Sequence, residues 1–174
     1  MVYLSANLCY TLNMSDCFQE RFRSNTCQQP GAGKESTDNM GLISVVTSGK
    51  GGAGKSTVTA GLGSALAKLG SRVLVVDTDA GLRSLDLMLG VSGSAVYDMS
   101  DIFAGHCEPI RAIYPSPVCT NVFVVPAPAS FEKLCTPQDM RRLCRGFAQY
   151  YDHVIIDCPA GLGRGFETAD AAAE

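Results

Sequence analysis

Nowhere in the 174 residues does an apolar run approach the roughly 18 needed to cross a bilayer. The N-terminus also lacks a compact apolar stretch ending in a small-residue cleavage site, so no signal peptide is read. Net positive charge is missing too: the formal charge is −3, which argues against a bulk electrostatic grip on nucleic acid and leaves room only for a local basic patch. The eight cysteines (Cys9, Cys17, Cys27, Cys107, Cys119, Cys135, Cys144 and Cys158) contain no CxxC pair and no metal-ligand spacing. They read as reduced thiols behaving as small hydrophobes, in a cytoplasmic chain. What remains is 46% hydrophobic and 18% charged, one ordinary domain with enough length to bury a core.

Residues 1–40 differ from the rest. They mix polar residues, three cysteines and turn formers (Gln28-Gln29-Pro30-Gly31) without sustained periodicity, and are expected to form a poorly ordered extension. Met40 directly precedes the first strong strand and is a candidate start of the functional unit, residues 41–174.

From Leu42 the pattern is regular. Leu42 to Thr47 is a β-rich run that stops at a glycine cluster, as a buried parallel strand does. Lys55 to Leu69 predicts a helix whose apolar face is Val58, Leu62, Ala65, Leu66 and Leu69, with Gly70 just past its end. Gly61 and Gly63 weaken that helix, so close packing against the sheet is the expected compensation. Arg72 to Asp77, Asn121 to Val125 and His153 to Asp157 are further strands. Thr136-Pro137-Gln138-Asp139 carries a helix-start signature. The helix that follows has Met140, Leu143, Cys144, Phe147 and Tyr151 on its apolar side and Arg141, Arg142 and Arg145 facing solvent. Strands alternating with helices predict a three-layer α/β domain with a mainly parallel sheet.

Gly49-Lys50-Gly51-Gly52-Ala53-Gly54-Lys55-Ser56 fits the phosphate-binding pattern G-x-x-x-x-G-K-[ST], between a strand and a helix. Glycines let the backbone curl until its N–H groups point inward at phosphate oxygens, and the helix N-terminus adds partial positive charge. Lys55 would reach the β- and γ-phosphates, the Ser56 hydroxyl would ligate Mg²⁺, and Thr57 would add a hydroxyl near the α-phosphate. ATP and Mg²⁺ are the implied ligands. Gly31-Ala32-Gly33-Lys34 imitates the loop but has Gln28 in place of its first glycine, Glu35 in place of the hydroxyl and no strand before it.

Acids at strand ends complete the constellation, because ligands of open parallel sheets bind at that edge. Asp157 is the expected magnesium-side acid, and Gly161 shortly after it could offer its N–H to the γ-phosphate. Asp77 and Asp79 follow the second strand in a segment suited to a switch, with Asp79 the candidate for orienting the attacking water and a third metal-side group.

The eight residues Lys50 to Thr57 resemble the deviant Walker A loop, KGGxGK[ST]T. Val76-Asp77-Thr78-Asp79-Ala80-Gly81-Leu82-Arg83-Ser84-Leu85-Asp86 is similar to the switch I region of the MinD branch of that family, and Ile155 to Gly161 to its switch II. The resemblance spans about Gly41 to the end and implies a P-loop ATPase fold, incomplete at its C-terminus. By the same resemblance Lys50 would cross a dimer interface to the partner's nucleotide, where a second cation offsets transition-state charge. The family binds ATP, dimerises face to face, attaches to the inner membrane, recruits MinC and is triggered by MinE, so placing the division septum. Ser84 stands where the family usually has asparagine, and Gly163 where an acid often follows. The family's C-terminal amphipathic membrane helix has no counterpart before Glu174, so weak or no membrane binding is expected of these residues alone. ParA-like partitioning ATPases, flagellar-number regulators and iron–sulfur carriers share the loop. The negative charge disfavours a DNA-partitioning role and the cysteine spacing a cluster carrier.

Overall fold

The computed structural model describes residues 40–80, 83–128 and 136–160, together with the backbone of residues 2–4. Strand β2 (Leu42–Val46) leads through the glycine loop into helix α1 (Lys55–Lys68). Strand β3 (Val73–Asp77) is followed by two short helices, α2 (Ser84–Met88) and α3 (Met99–Phe103), and a 3-10 turn over Pro109–Ala112. A hairpin of β4 (Tyr114–Pro115) and β5 (Val122–Val125) comes next, then α4 (Pro137–Ala148) and β6 (His153–Asp157).

With Val2–Leu4 as strand β1, the sheet order is β1-β2-β6-β3-β5-β4. The four inner strands are parallel, and β1 (Val2–Leu4) and β4 pair antiparallel at the two edges. The mainly parallel α/β expectation therefore holds. β1 corrects the expectation of a loose extension for three residues: they pair with β2 although no periodicity marks them. The rest of the extension, with its decoy loop, lies outside the described residues.

Strand pleating sends alternate side chains to two cores. Ile43, Val45, Leu74, Val76, Val154 and Ile156 pack with Met140, Leu143, Cys144 and Phe147 of α4. Val73, Val75, Val122, Val124 and Ile155 face the other way, toward Ala67 of α1 and Leu85 and Leu89 around α2. α4 begins as its sequence predicts, with Thr136 and Asp139 forming a reciprocal capping box and Pro137 in the first turn. Its apolar side is buried as predicted; among its arginines Arg142 is exposed while Arg141 and Arg145 are half-buried.

α1 overturns its predicted face. Val58, Leu62 and Leu69 are exposed, and the residues turned inward are Lys55, Thr59, Gly63 and Ala67. The reason is proximity: a Cβ built on Gly63 would lie 3.2 Å from Val75 Cγ2, so only small residues fit between helix and sheet. Gly63 thus provides the close packing expected of both glycines, whereas Gly61 meets nothing within 4 Å.

Candidate functional site

The parallel register brings three strand ends to one edge. Asp157 is the register partner of Val46 on one side and of Asp77 on the other. The glycine loop leaves β2 at this same edge. Gly52 and Gly54 have φ values of 70° and 84°, a left-handed region that favours glycine, and Gly54 occupies the N-cap of α1. Among the described residues no side chain caps that helix, and no acid stands in its first turn, which leaves its N-terminus suited to an anion. The Ser48 hydroxyl donates to the Lys50 carbonyl at 2.9 Å, fixing the loop's entry. Gly51 approaches the segment after β6, where its Cβ would lie 3.8 Å from that of Ala160.

Lys55 is only 9% exposed, held where its charge acts on Asp157. Asp157 itself is buried. The Thr59 hydroxyl donates to its Oδ1 at 3.0 Å, while Oδ2 is buried without a hydrogen-bond partner among the described residues. Burial pushes this carboxyl above its ordinary value; the nearby Ser56 and Thr59 hydroxyls and the Lys55 ammonium pull it down, and Asp79 pushes it up. Asp77 is more perturbed: burial raises it to about 7, against the Asp79 N–H that donates to its Oδ1 at 2.9 Å. The charges of Asp157, Asp86 and Asp79 raise it further. Thr78 ties the two strand ends together, its N–H and hydroxyl both donating to the Asp157 carbonyl at 3.0 and 2.6 Å.

Of the predicted site residues, Lys55, Ser56, Asp79 and Asp157 therefore converge. Gly49, Lys50, Gly51, Gly52 and Ala53 line an exposed loop beside them, and Thr57 is exposed in the first turn of α1. Gly161 lies outside the described residues. Thr59 and Thr78 were not assigned roles from sequence. Thr59 carried a signal, since it stands four residues after Lys55 and so shares its helix face.

Among the described residues no three His, Cys, Asp or Glu side chains converge on a metal. Mg²⁺ needs no such cage, since it keeps several waters and takes one or two protein groups plus phosphate oxygens. The unpartnered Oδ2 of Asp157 next to the Ser56 hydroxyl fits such a cation. Among the described cysteines, Cys144 and Cys158 are buried in the core, while Cys107 and Cys119 are half-buried.

Comparison with known proteins places this geometry. The septum site-determining protein MinD of Thermotoga maritima is 43% identical over 136 residues, 78% of this chain and 50% of the relative. In a MinC:MinD cell division protein complex from Aquifex aeolicus, the matching chain superposes with a TM-score of 0.66 at 36% identity, covering 75% of this chain and 52% of that one. The Pyrococcus horikoshii MinD, solved in complex with Mg-ADP, gives 0.65 at 36% identity, with coverage of 74% and 53%. The chain thus spans about half the length of the relatives it matches. The family model of the CobQ/CobB/MinD/ParA nucleotide binding domain matches residues 44–157, from the strand before the glycine loop to the acid that faces it, and the chain belongs to that family.

Proposed function

We propose that residues 41–174 form the nucleotide-binding part of a MinD-type ATPase switch, with residues 1–40 as an extension to it. The observation that carries the reading is Asp157: a buried carboxylate with one oxygen on Thr59 and the other unpartnered, set beside Ser56 and Lys55 at an uncapped helix N-terminus.

In this reading the loop N–H groups from Gly49 to Thr57 and the Lys55 ammonium hold the triphosphate of ATP. Ser56, Asp157 and Asp79 would hold Mg²⁺, which would supply Lewis-acid neutralisation of the phosphate oxygens when bound. Asp79 orients the attacking water, and Gly161 donates its N–H toward the γ-phosphate. Lys50, exposed on the loop, is free to reach a partner's nucleotide, so ATP drives a face-to-face homodimer. In the full-length protein that this reading implies, the dimer recruits MinC, answers to MinE and associates peripherally with the inner membrane from the cytoplasm, without nucleic acid as a ligand. No helix among the described residues is long and apolar enough to cross a membrane. The similarity to MinD in a MinC:MinD complex supports the septum-placement assignment.

Titration calorimetry with Mg-ATP tests the core of this reading. Lys55→Ala should abolish the binding heat, and Asp79→Ala should retain binding while phosphate release collapses. A folded wild-type chain that takes up no Mg-ATP would sink the reading. Turnover that persists in Asp79→Ala would remove that residue from its role.

A further inference from the structure

The outer face of α1 is built like an inner one. Between Lys55 and Lys68 the helix carries no charged side chain, whereas α4 meets solvent with Gln138 and Arg142. Val58 and Leu62 are exposed on α1, and Leu69 at its C-cap is 83% exposed. The neighbouring α2 packs beside α1 and exposes Leu87 and Met88. A helix that is apolar on both sides is ordinarily covered on both, and a cluster of exposed large apolar side chains marks a surface that something else covers.

The backbone at the amino end of the sheet says what lies within reach. Asp152 joins two points there. Its carbonyl accepts the Leu42 N–H at 2.9 Å, and its own N–H donates to the Arg72 carbonyl at 2.9 Å. Arg72 follows Leu69 by three residues, so the exposed end of α1 and the entry into β2 sit side by side. β1 runs antiparallel to β2, with Val2 opposite Val46 and Leu4 opposite Ser44, so the chain leaving β1 heads for that same end. Residues 5–39 therefore begin and finish at the end of the sheet where Leu69 lies. Reach is not limiting. The 14 residues of α1 make a rod about 21 Å long, whereas the connecting segment can extend over roughly 100 Å.

We propose that residues 5–39 are the occupant of the outer face of α1, with Leu8, Leu12, Phe18 and Phe22 of that segment taking Val58, Leu62 and Leu69 out of water. Both ends of the segment are held on the same domain, so the contact is intramolecular. A tether of this kind gives an effective concentration on the order of millimolar, which a second copy at micromolar concentration does not match. The extension is thus part of the apolar cover of the domain. This holds whether or not the loop binds Mg-ATP.

The test places a photoreactive benzophenone side chain at position 62 of the full chain, irradiates it at micromolar protein, and maps the cross-links by mass spectrometry. Cross-links should join position 62 to residues 5–39 within one molecule. Their yield should be at least about fivefold that of the same probe at position 142 on α4, since docking raises the local concentration at one face only. Combining Leu8→Ser, Leu12→Ser, Phe18→Ser and Phe22→Ser should bring the yield at 62 down to the α4 level. The probe at position 69, beyond the last turn of the helix, gives an independent reading where the one at 62 disturbs the fold. Equal yields on α1 and α4 would overturn the proposal, as would a yield that the four serines leave unchanged. Cross-linked dimers joined through α1 or α2 would assign the face to a second copy instead, and cross-links confined to other residues of the same chain would leave residues 5–39 without this role.

Discussion

α4 and α1 cover the same sheet in opposite manners. α4 meets it with large side chains, Met140, Leu143 and Phe147, all buried. α1 meets it with Thr59, Gly63 and Ala67 and turns Val58, Leu62 and Leu69 outward. The large-residue face contributes burial and little else. The small-residue face contributes position: a helix drawn this close to the strands brings Lys55 and Thr59, on one side of its first turns, against Asp157. One helix stabilises the domain while the other builds its site.

The sharpest way to break that division is at Phe147, which is fully buried. Phe147→Ala should cost about 3–5 kcal/mol of unfolding free energy, the range for deleting a buried aromatic ring. Urea denaturation would read the loss. Mg-ATP affinity per folded molecule should stay unchanged, and a parallel loss of affinity would mean the two faces are not separable.

The next effect lies on the site side and is a pH dependence. Burial lifts Asp77 from 3.8 to about 7, so the native carboxyl keeps its proton after the unfolded one has lost it. Between those values the native state binds more protons, and stability falls as pH rises through the window. Asp77→Asn should flatten much of the fall in denaturation curves taken at about pH 4.5 and about pH 7.5. It should not remove all of it, because burial raises Asp86 and Asp157 in the same direction. A wild-type curve that is flat or rising across that window would contradict the assignment. No such dependence is expected from α4, whose one perturbed acid, Asp139, is shifted downward by its capping hydrogen bonds to Thr136.

The same contrast decides what was legible in the sequence. α4 was readable in cap and face because its burial is carried by large apolar residues at helical spacing. The parallel strands were readable for the same reason, as were Lys55, Ser56 and Asp157, whose spacing and strand-end placement follow from the loop pattern. α1's inward face was not, since periodicity counts bulky residues and this interface selects for their absence. Thr59 was missed with it, a polar residue on the face that the pattern assigned to solvent. β4, α3 and the 3-10 turn also went unread. β4 and the 3-10 turn are held by contacts distant in sequence, since the Tyr114 hydroxyl accepts the N–H groups of Val96 and Tyr97 and Arg111 lies over the Tyr97 ring. α3, in contrast, carries a local signal that was overlooked, the capping box between Asp98 and Asp101.

The smallest expected effect sharpens the contrast most, because it compares one substitution at two positions of one helix. Gly61→Ala adds a methyl that meets nothing within 4 Å, so the helix keeps the propensity gain and stability should rise by about 0.5–1 kcal/mol. Gly63→Ala has the same gain but sets its methyl 3.2 Å from Val75 Cγ2, with Val73 Cγ1 at 3.7 Å and Ile155 Cδ1 at 3.9 Å behind it. Those side chains belong to central strands and are buried, so they have little room to yield and the helix must move instead. Gly63→Ala should therefore be net destabilising, by less than about 1 kcal/mol. It should also weaken Mg-ATP binding, since a helix lifted from the sheet carries Lys55 and Thr59 away from Asp157. Equal stabilisation by both alanines in parallel urea titrations would mean that α1 does not depend on its small residues, and the distinction between the two faces would fail.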